Sequence, residues 1–216
     1  MRRTLLFDMD GTLVDSAQGV LHSLDHAMLC AGLPPLPPGE VRQFLGPPLD
    51  LALKERCGLR GDTLLTVHRC YMEHYETQGL FLTLPAPGMP ELTASLRARG
   101  FRLAIATCKP WAWCAPTLSQ CGFSACFDPI VGSFHNGVPE DKTAVIREAL
   151  RLTGAPPEAA VMIGDRATDV RGARACGIPC IGVDFCGYAD PGELESAGAA
   201  AVAHTAAALN AILLGT

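Results

Sequence analysis

Charge is scarce in this sequence, and what there is leans acidic. Of its 216 residues only 18% are Asp, Glu, Lys or Arg, and the formal net charge is -5. There is no basic stripe with which to neutralise a phosphate backbone, so a nucleic-acid polymer is not an expected partner. Disorder is excluded from the other side, because 49% of the residues are hydrophobic and can bury a core. Long apolar runs are missing as well. The start, Met1-Arg2-Arg3 followed by Thr4 to Phe7, is cut off by Asp8 and Asp10 before a signal-peptide core can form. The Ala-rich stretch 197–214 is interrupted by His204, Thr205 and Asn210 and reads as a short strand and a terminal helix. No membrane association is expected. The ten cysteines contain no Cys-x-x-Cys pair. They read as small, mostly buried thiols in a reducing cytoplasmic setting, not as a disulfide framework.

What is present is alternation. From Gly88 onward, short apolar runs (103–106, 129–131, 160–163 and 180–183) are separated by helical stretches at 91–99, 141–152 and 168–175. Runs bounded by Gly, Asp or Pro and interleaved with helices predict an α/β fold, a doubly wound parallel sheet buried on both faces. Residues 4–8 supply one more such strand. Between 15 and 84 the pattern changes to helical periodicity at 16–29 and 63–75, with Pro-Pro breaks at 34–35, 37–38 and 47–48. The expected division is a core of 1–15 and 85–216 carrying a helical insert, 16–84.

The densest chemistry lies in Phe7-Asp8-Met9-Asp10-Gly11-Thr12-Leu13-Val14-Asp15-Ser16. Two aspartates one residue apart at the end of a buried strand repel each other in low dielectric. A divalent cation removes that conflict, and oxygen-only ligands suit magnesium. Gly11 and Thr12 are expected to turn the backbone so that amides and a hydroxyl face an anion.

This string resembles the first motif of the haloacid dehalogenase superfamily, in its phosphatase branch. Later landmarks follow in order. Leu103 to Thr107 looks like the second motif, an apolar strand ending in a hydroxyl. Lys142 looks like the third-motif lysine, and Gly164-Asp165-Arg166-Ala167-Thr168-Asp169 is similar to the fourth. The resemblance implies that Asp8 attacks phosphorus and forms an aspartyl-phosphate. It implies that Asp10 is the general acid and base, and that Thr107 and Lys142 hold phosphoryl oxygens. Gly11, Thr12 and Cys108 would complete the substrate contacts. Mg2+ would be held by Asp8, Asp165 and the backbone carbonyl of Asp10, with Asp169 and Arg166 acting from behind. For Arg166 a plain pairing with a neighbouring carboxylate is the equal alternative, and Lys109 reads as a surface lysine. The insert resembles a small helical cap, with residues 45–50, including Gly46-Pro47-Pro48-Leu49, similar to a specificity loop.

The implied partner is a small phosphorylated metabolite, and nothing in the pattern specifies an oligomer. Phosphoglycolate phosphatase-like hydrolysis leads. A 5′-nucleotidase follows, and then a β-phosphoglucomutase-like mutase, which also keeps both aspartates. A non-catalytic phosphate-binding protein stands last, since none of the four motif positions is lost. His22 and His26 have ligand-like spacing on one helix but show no third ligand.

Overall fold

A computed structural model describes residues 4–37, 39–45, 49–123, 125–134 and 141–215. The expectation on Gly46-Pro47-Pro48 lies outside the described residues. The chain divides into two compact units, one of Met1–Asp15 with Pro85–Thr216 and the other Ser16–Leu84.

The first unit is built on a six-stranded sheet. In chain order its strands are β1 (Thr4–Phe7), β4 (Arg102–Pro110), β5 (Ile130–Ser133), β6 (Ala160–Gly164), β7 (Cys180–Val183) and β8 (Ala201–Ala203). They lie in the order β5-β4-β1-β6-β7-β8, and every pairing is parallel. The short strands β2 (Val14–Asp15) and β3 (Leu84–Pro85) form a separate ribbon.

Strand periodicity sorts the core into two layers. Leu5, Phe7, Leu103, Ile105, Val161, Ile163, Ile181 and Val183 point to one side. There they meet Leu92 and Leu96 of α4 (Met89–Ala98), Cys114 and Leu118 of α5 (Trp111–Gln120), and Leu209 of α9 (Ala206–Leu214). Leu6, Ala104, Ala106, Met162 and Cys180 point to the other. Their partners are Val145, Ile146 and Ala149 of α6 (Lys142–Thr153), Val170 and Ala173 of α7 (Ala167–Ala175), and Leu194 of α8 (Glu193–Ala197). Adjacent residues of one strand thus enter different layers, which is why the runs look uniformly apolar.

Two elements differ from expectation. β4 does not end at Thr107 but runs on to Pro110, with its register against β5 shifting between Ala106 and Pro110. Helix α5 starts at once after it and carries Pro116 inside, which hides its periodicity in the sequence.

The second unit is helical, with α1 (Ala17–Cys30), α2 (Leu49–Arg56) and α3 (Gly61–Thr77). Helix α1 buries Val20, Ser23, Leu24, Ala27 and Met28, and α3 buries Leu64, Val67, Cys70, Tyr71, His74 and Tyr75. No described helix is long and apolar enough to cross a membrane.

Phe123 is 1% exposed, packed in the first layer with its ring centroid 6.1 Å from that of Phe127. Phe123→Ala is expected to cost about 3–5 kcal/mol. The Thr205 hydroxyl caps α9 by accepting from the Ala208 amide at 3.1 Å. Thr205→Ala is expected to cost only about 1 kcal/mol. Urea midpoints of the two variants check this order.

Candidate active site

The strand order reverses at β1, whose neighbours are β4 on one side and β6 on the other. Open α/β sheets bind ligands at the carboxyl ends beside such a switch point. Asp8 follows β1 there, and its amide donates to the Ile163 carbonyl at 2.9 Å. Asp165 follows β6 at the same level and is 2% exposed. Asp169 sits in the first turn of α7, fully buried, where its Oδ2 accepts from the Arg166 amide at 3.0 Å. One carboxylate oxygen from each of Asp8, Asp165 and Asp169 falls within 4.8 Å of the others.

Among the described residues, one ammonium answers two of these three. Lys142 opens α6, and its Nζ lies 2.9 Å from Asp8 Oδ1, 2.8 Å from Asp169 Oδ1 and 3.3 Å from the Ala106 carbonyl. Burial alone would depress the lysine, but the Asp169 and Asp8 carboxylates outweigh it and hold it well above its ordinary value. Asp165 has no such neighbour at contact distance. Burial, then Asp169 and Asp8, push its carboxyl well above the usual range. Its Oδ1 accepts from the Thr12 hydroxyl at 3.0 Å, while Oδ2 is buried with no hydrogen-bond partner among the described residues. An orphaned carboxylate oxygen facing two more carboxylates is a donor set for a hard cation, so these residues fit Mg2+.

Gly11 is fixed by that crowding. It has a φ of +81°, and a Cβ there would stand 2.1 Å from Asp165 Oδ2. The expectation that Gly11 and Thr12 turn amides and a hydroxyl toward an anion is corrected. The Gly11 amide donates to the Val14 carbonyl at 2.8 Å and the Thr12 amide to the Met9 carbonyl at 3.1 Å. The Thr12 hydroxyl is taken by Asp165. A tight turn satisfies its own donors, so these groups hold Asp165 and the loop instead of facing an anion.

Lys109 is also corrected. It is not a surface lysine: it is 7% exposed, and its Nζ donates to Asp10 Oδ1 at 3.0 Å and Oδ2 at 3.1 Å. The register shift in β4 accompanies this, since irregular strand ends re-aim side chains. Only a three-dimensional pairing across 99 residues reveals it. Thr107 is buried and its Oγ1 accepts from the Lys109 amide at 3.1 Å. Cys108 is half-buried, and its carbonyl accepts from the Ser133 hydroxyl. Arg166 makes the plain pairing, with Nε 3.1 Å from Glu193 Oε1. That same carboxylate accepts from the Ala167 amide at 2.7 Å, a support for α7 that the sequence did not signal. Tyr188 makes another pairing that the sequence did not signal: its hydroxyl donates to Asp15 Oδ1 at 2.6 Å.

The sequence pattern of the haloacid dehalogenase-like hydrolases matches residues 5–183. A 5′-nucleotidase of Pseudomonas aeruginosa is 32% identical over 192 residues, 89% of this chain and 86% of its own. A plasmid phosphoglycolate phosphatase of Cupriavidus necator is 34% identical over 97% of this chain and 92% of its own. The tyrosine-protein kinase PtkA of Mycobacterium tuberculosis is also 34% identical, over 94% of this chain and 68% of its own. Among solved structures, a predicted phosphatase from Clostridium acetobutylicum superposes with a TM-score of 0.91 at 31% identity, covering 100% of both chains.

The buried carboxylates give a signed pH dependence. Burial, with Asp8 adding to it against Lys142, raises Asp169 from 3.8 to about 6. A carboxyl raised on folding favours the folded state at low pH, and that contribution is lost as pH climbs from about 4 through about 6. With a chelator present, the melting temperature of Asp169→Asn is expected to fall less across that window than that of the parent.

Proposed function

From the chain's membership of the haloacid dehalogenase-like hydrolase family, to which it belongs over most of its length, we propose that it is a Mg2+-dependent phosphatase of small phosphate monoesters. The single observation that carries this reading is the convergence of Asp8, Asp165 and Asp169 on one locus, where Lys142 pairs with Asp8 and Asp169. Such a site takes a cation and an anionic phosphoryl group together.

In this reading the Asp8 carboxylate attacks phosphorus, a phosphorus–oxygen bond to Asp8 forms and the bond to the leaving alcohol breaks. Asp10 gives its proton to the departing oxygen. Lys109, donating to both Asp10 oxygens, fixes the direction of that carboxyl. Asp10 then takes a proton from water as it attacks the acyl phosphate, which frees phosphate and restores Asp8. Lys142 holds charge on Asp8 and on the phosphoryl oxygens, Thr107 stands beside them, and Asp169 keeps the ammonium in place. The Asp8 and Asp165 carboxylates with the Asp10 carbonyl would hold Mg2+, which when bound neutralises charge between nucleophile and phosphate.

The helical unit 16–84 is proposed to act as a cap that excludes water and selects the leaving group. Phosphoglycolate is the leading substrate, supported by the phosphoglycolate phosphatase relative. A nucleoside monophosphate is the second reading, supported by the 5′-nucleotidase relative. Phosphate release without a nucleotide donor separates both from the tyrosine kinase activity in the name of the mycobacterial relative.

The test is a phosphate-release panel holding phosphoglycolate, nucleoside monophosphates and sugar phosphates, with and without Mg2+. Turnover is expected to need Mg2+. Asp8→Asn is expected to abolish it, and Asp10→Asn to reduce it about 10²–10⁴-fold. Absence of turnover on every ester, or full activity of Asp8→Asn, overturns the reading.

A further inference from the structure

The loop that follows β7 reaches back over the turn that carries Asp10. Phe185 and Cys186 of this loop pack against the first core layer and hold it in place. Gly187 turns the chain there with a φ of +67°, and Tyr188 beside it is 6% exposed. The Tyr188 side chain meets the first motif at two places. Its ring lies against the backbone of Gly11, where a Cβ would stand 2.7 Å from Tyr188 Cδ2 as well as in collision with Asp165. Its hydroxyl reaches Asp15 Oδ1 at 2.6 Å, across 173 residues of sequence.

We propose that Tyr188 is a positioning residue for Asp10, a role that rests on the phosphatase reading above. Asp10 stands between two anchored stretches of chain. On one side Asp8 is held by the Ile163 carbonyl at its amide and by Lys142 at its carboxylate. On the other side the turn closes on itself. The Met9 carbonyl accepts from the amides of Thr12, Leu13 and Val14, and the Val14 carbonyl accepts from the Gly11 amide. Those bonds set the internal shape of the turn, and Leu13 and Val14 seat its far arm in the core. Tyr188 grips the same turn from outside, at Gly11 and at Asp15 together.

The two supports of Asp10 are complementary. Lys109 fixes the direction of the carboxyl, and Tyr188 fixes the backbone from which that carboxyl projects. A proton donor works only within hydrogen-bond reach of the departing oxygen, so a small shift of the turn is costly. Asp8 has its own anchors, so the shift harms proton transfer more than nucleophilic attack.

Leaving-group dependence tests this role on the full chain with Mg2+ present. The ratio kcat/KM covers the steps up to departure of the alcohol. An alkyl phosphate needs a proton at that step, whereas p-nitrophenyl phosphate, whose leaving phenol is acidic, does not. Tyr188→Phe keeps the ring on Gly11 and removes only the hydroxyl. It is expected to lower kcat/KM for the parent's best alkyl ester, relative to that for p-nitrophenyl phosphate, at least about tenfold. Asp15→Ala should lower this selectivity likewise, and Asp15→Asn, which keeps an acceptor oxygen, should retain most of it. In an Asp10→Asn background Tyr188→Phe should lower it no further, as for residues that act through one group. If Tyr188→Phe fails to fold, Asp15→Ala carries both measurements. An unchanged selectivity, whether or not both esters slow, or a full additional loss in the Asp10→Asn background, overturns the proposal. No turnover of either ester by the parent overturns the phosphatase reading, and this role with it.

Discussion

One imbalance of charge organises the sheet's carboxyl end. Asp8, Asp165 and Asp169 bring buried carboxylates within 4.8 Å, and among the described residues Lys142 alone pairs with any of them. Burial, and after it neighbouring carboxylates, displace both Asp165 and Asp169 upward. Nothing in packing favours such a cluster, so the surrounding structure must hold it. Strands β1 and β6, paired in register up to Phe7 and Ile163, end side by side and carry Asp8 and Asp165 just beyond those ends. The first turn of α7 fixes Asp169 through the Arg166 amide, and Glu193 fixes that turn in its own place. Thr12 and the glycine beside it complete the arrangement by giving Asp165 one partner and leaving it room.

A second ion pair stands apart from that imbalance. Lys109 serves Asp10 just as Lys142 serves Asp8, so both aspartates of the first motif meet a buried ammonium. The two lysines arrive by different routes, one on an irregular strand end and the other at a helix start. This division lets the two carboxyls do different work at short range. Asp8 shares its lysine with Asp169, whereas Asp10 has both oxygens bound by one donor.

The helical unit uses polar side chains in another way. Ser23 and His74 are buried between α1 and α3 and satisfy each other at 3.0 Å, while His26 and Cys30 lie at the open rim. Histidines in a buried seam contribute less to packing than leucines would, and desolvation lowers His74 further, with His26 and His22 adding to it.

The parallel sheet, its strands and most helices were legible in the sequence because burial on both faces leaves short apolar runs between amphipathic ones. Asp8, Asp10, Lys142, Asp165 and Asp169 were legible through their resemblance to the motifs of the haloacid dehalogenase superfamily, not through periodicity. Helix α5 was not, since Pro116 breaks the period that betrays a helix. Nor were the pairings of Lys109 with Asp10, Glu193 with Arg166, or Tyr188 with Asp15, which join residues from 27 to 173 positions apart. A lysine two residues past a strand reads the same whether it faces water or a carboxylate. Local pattern determined which residues are apolar and where the chain turns; only the packed sheet and its irregular edge decided which charges meet.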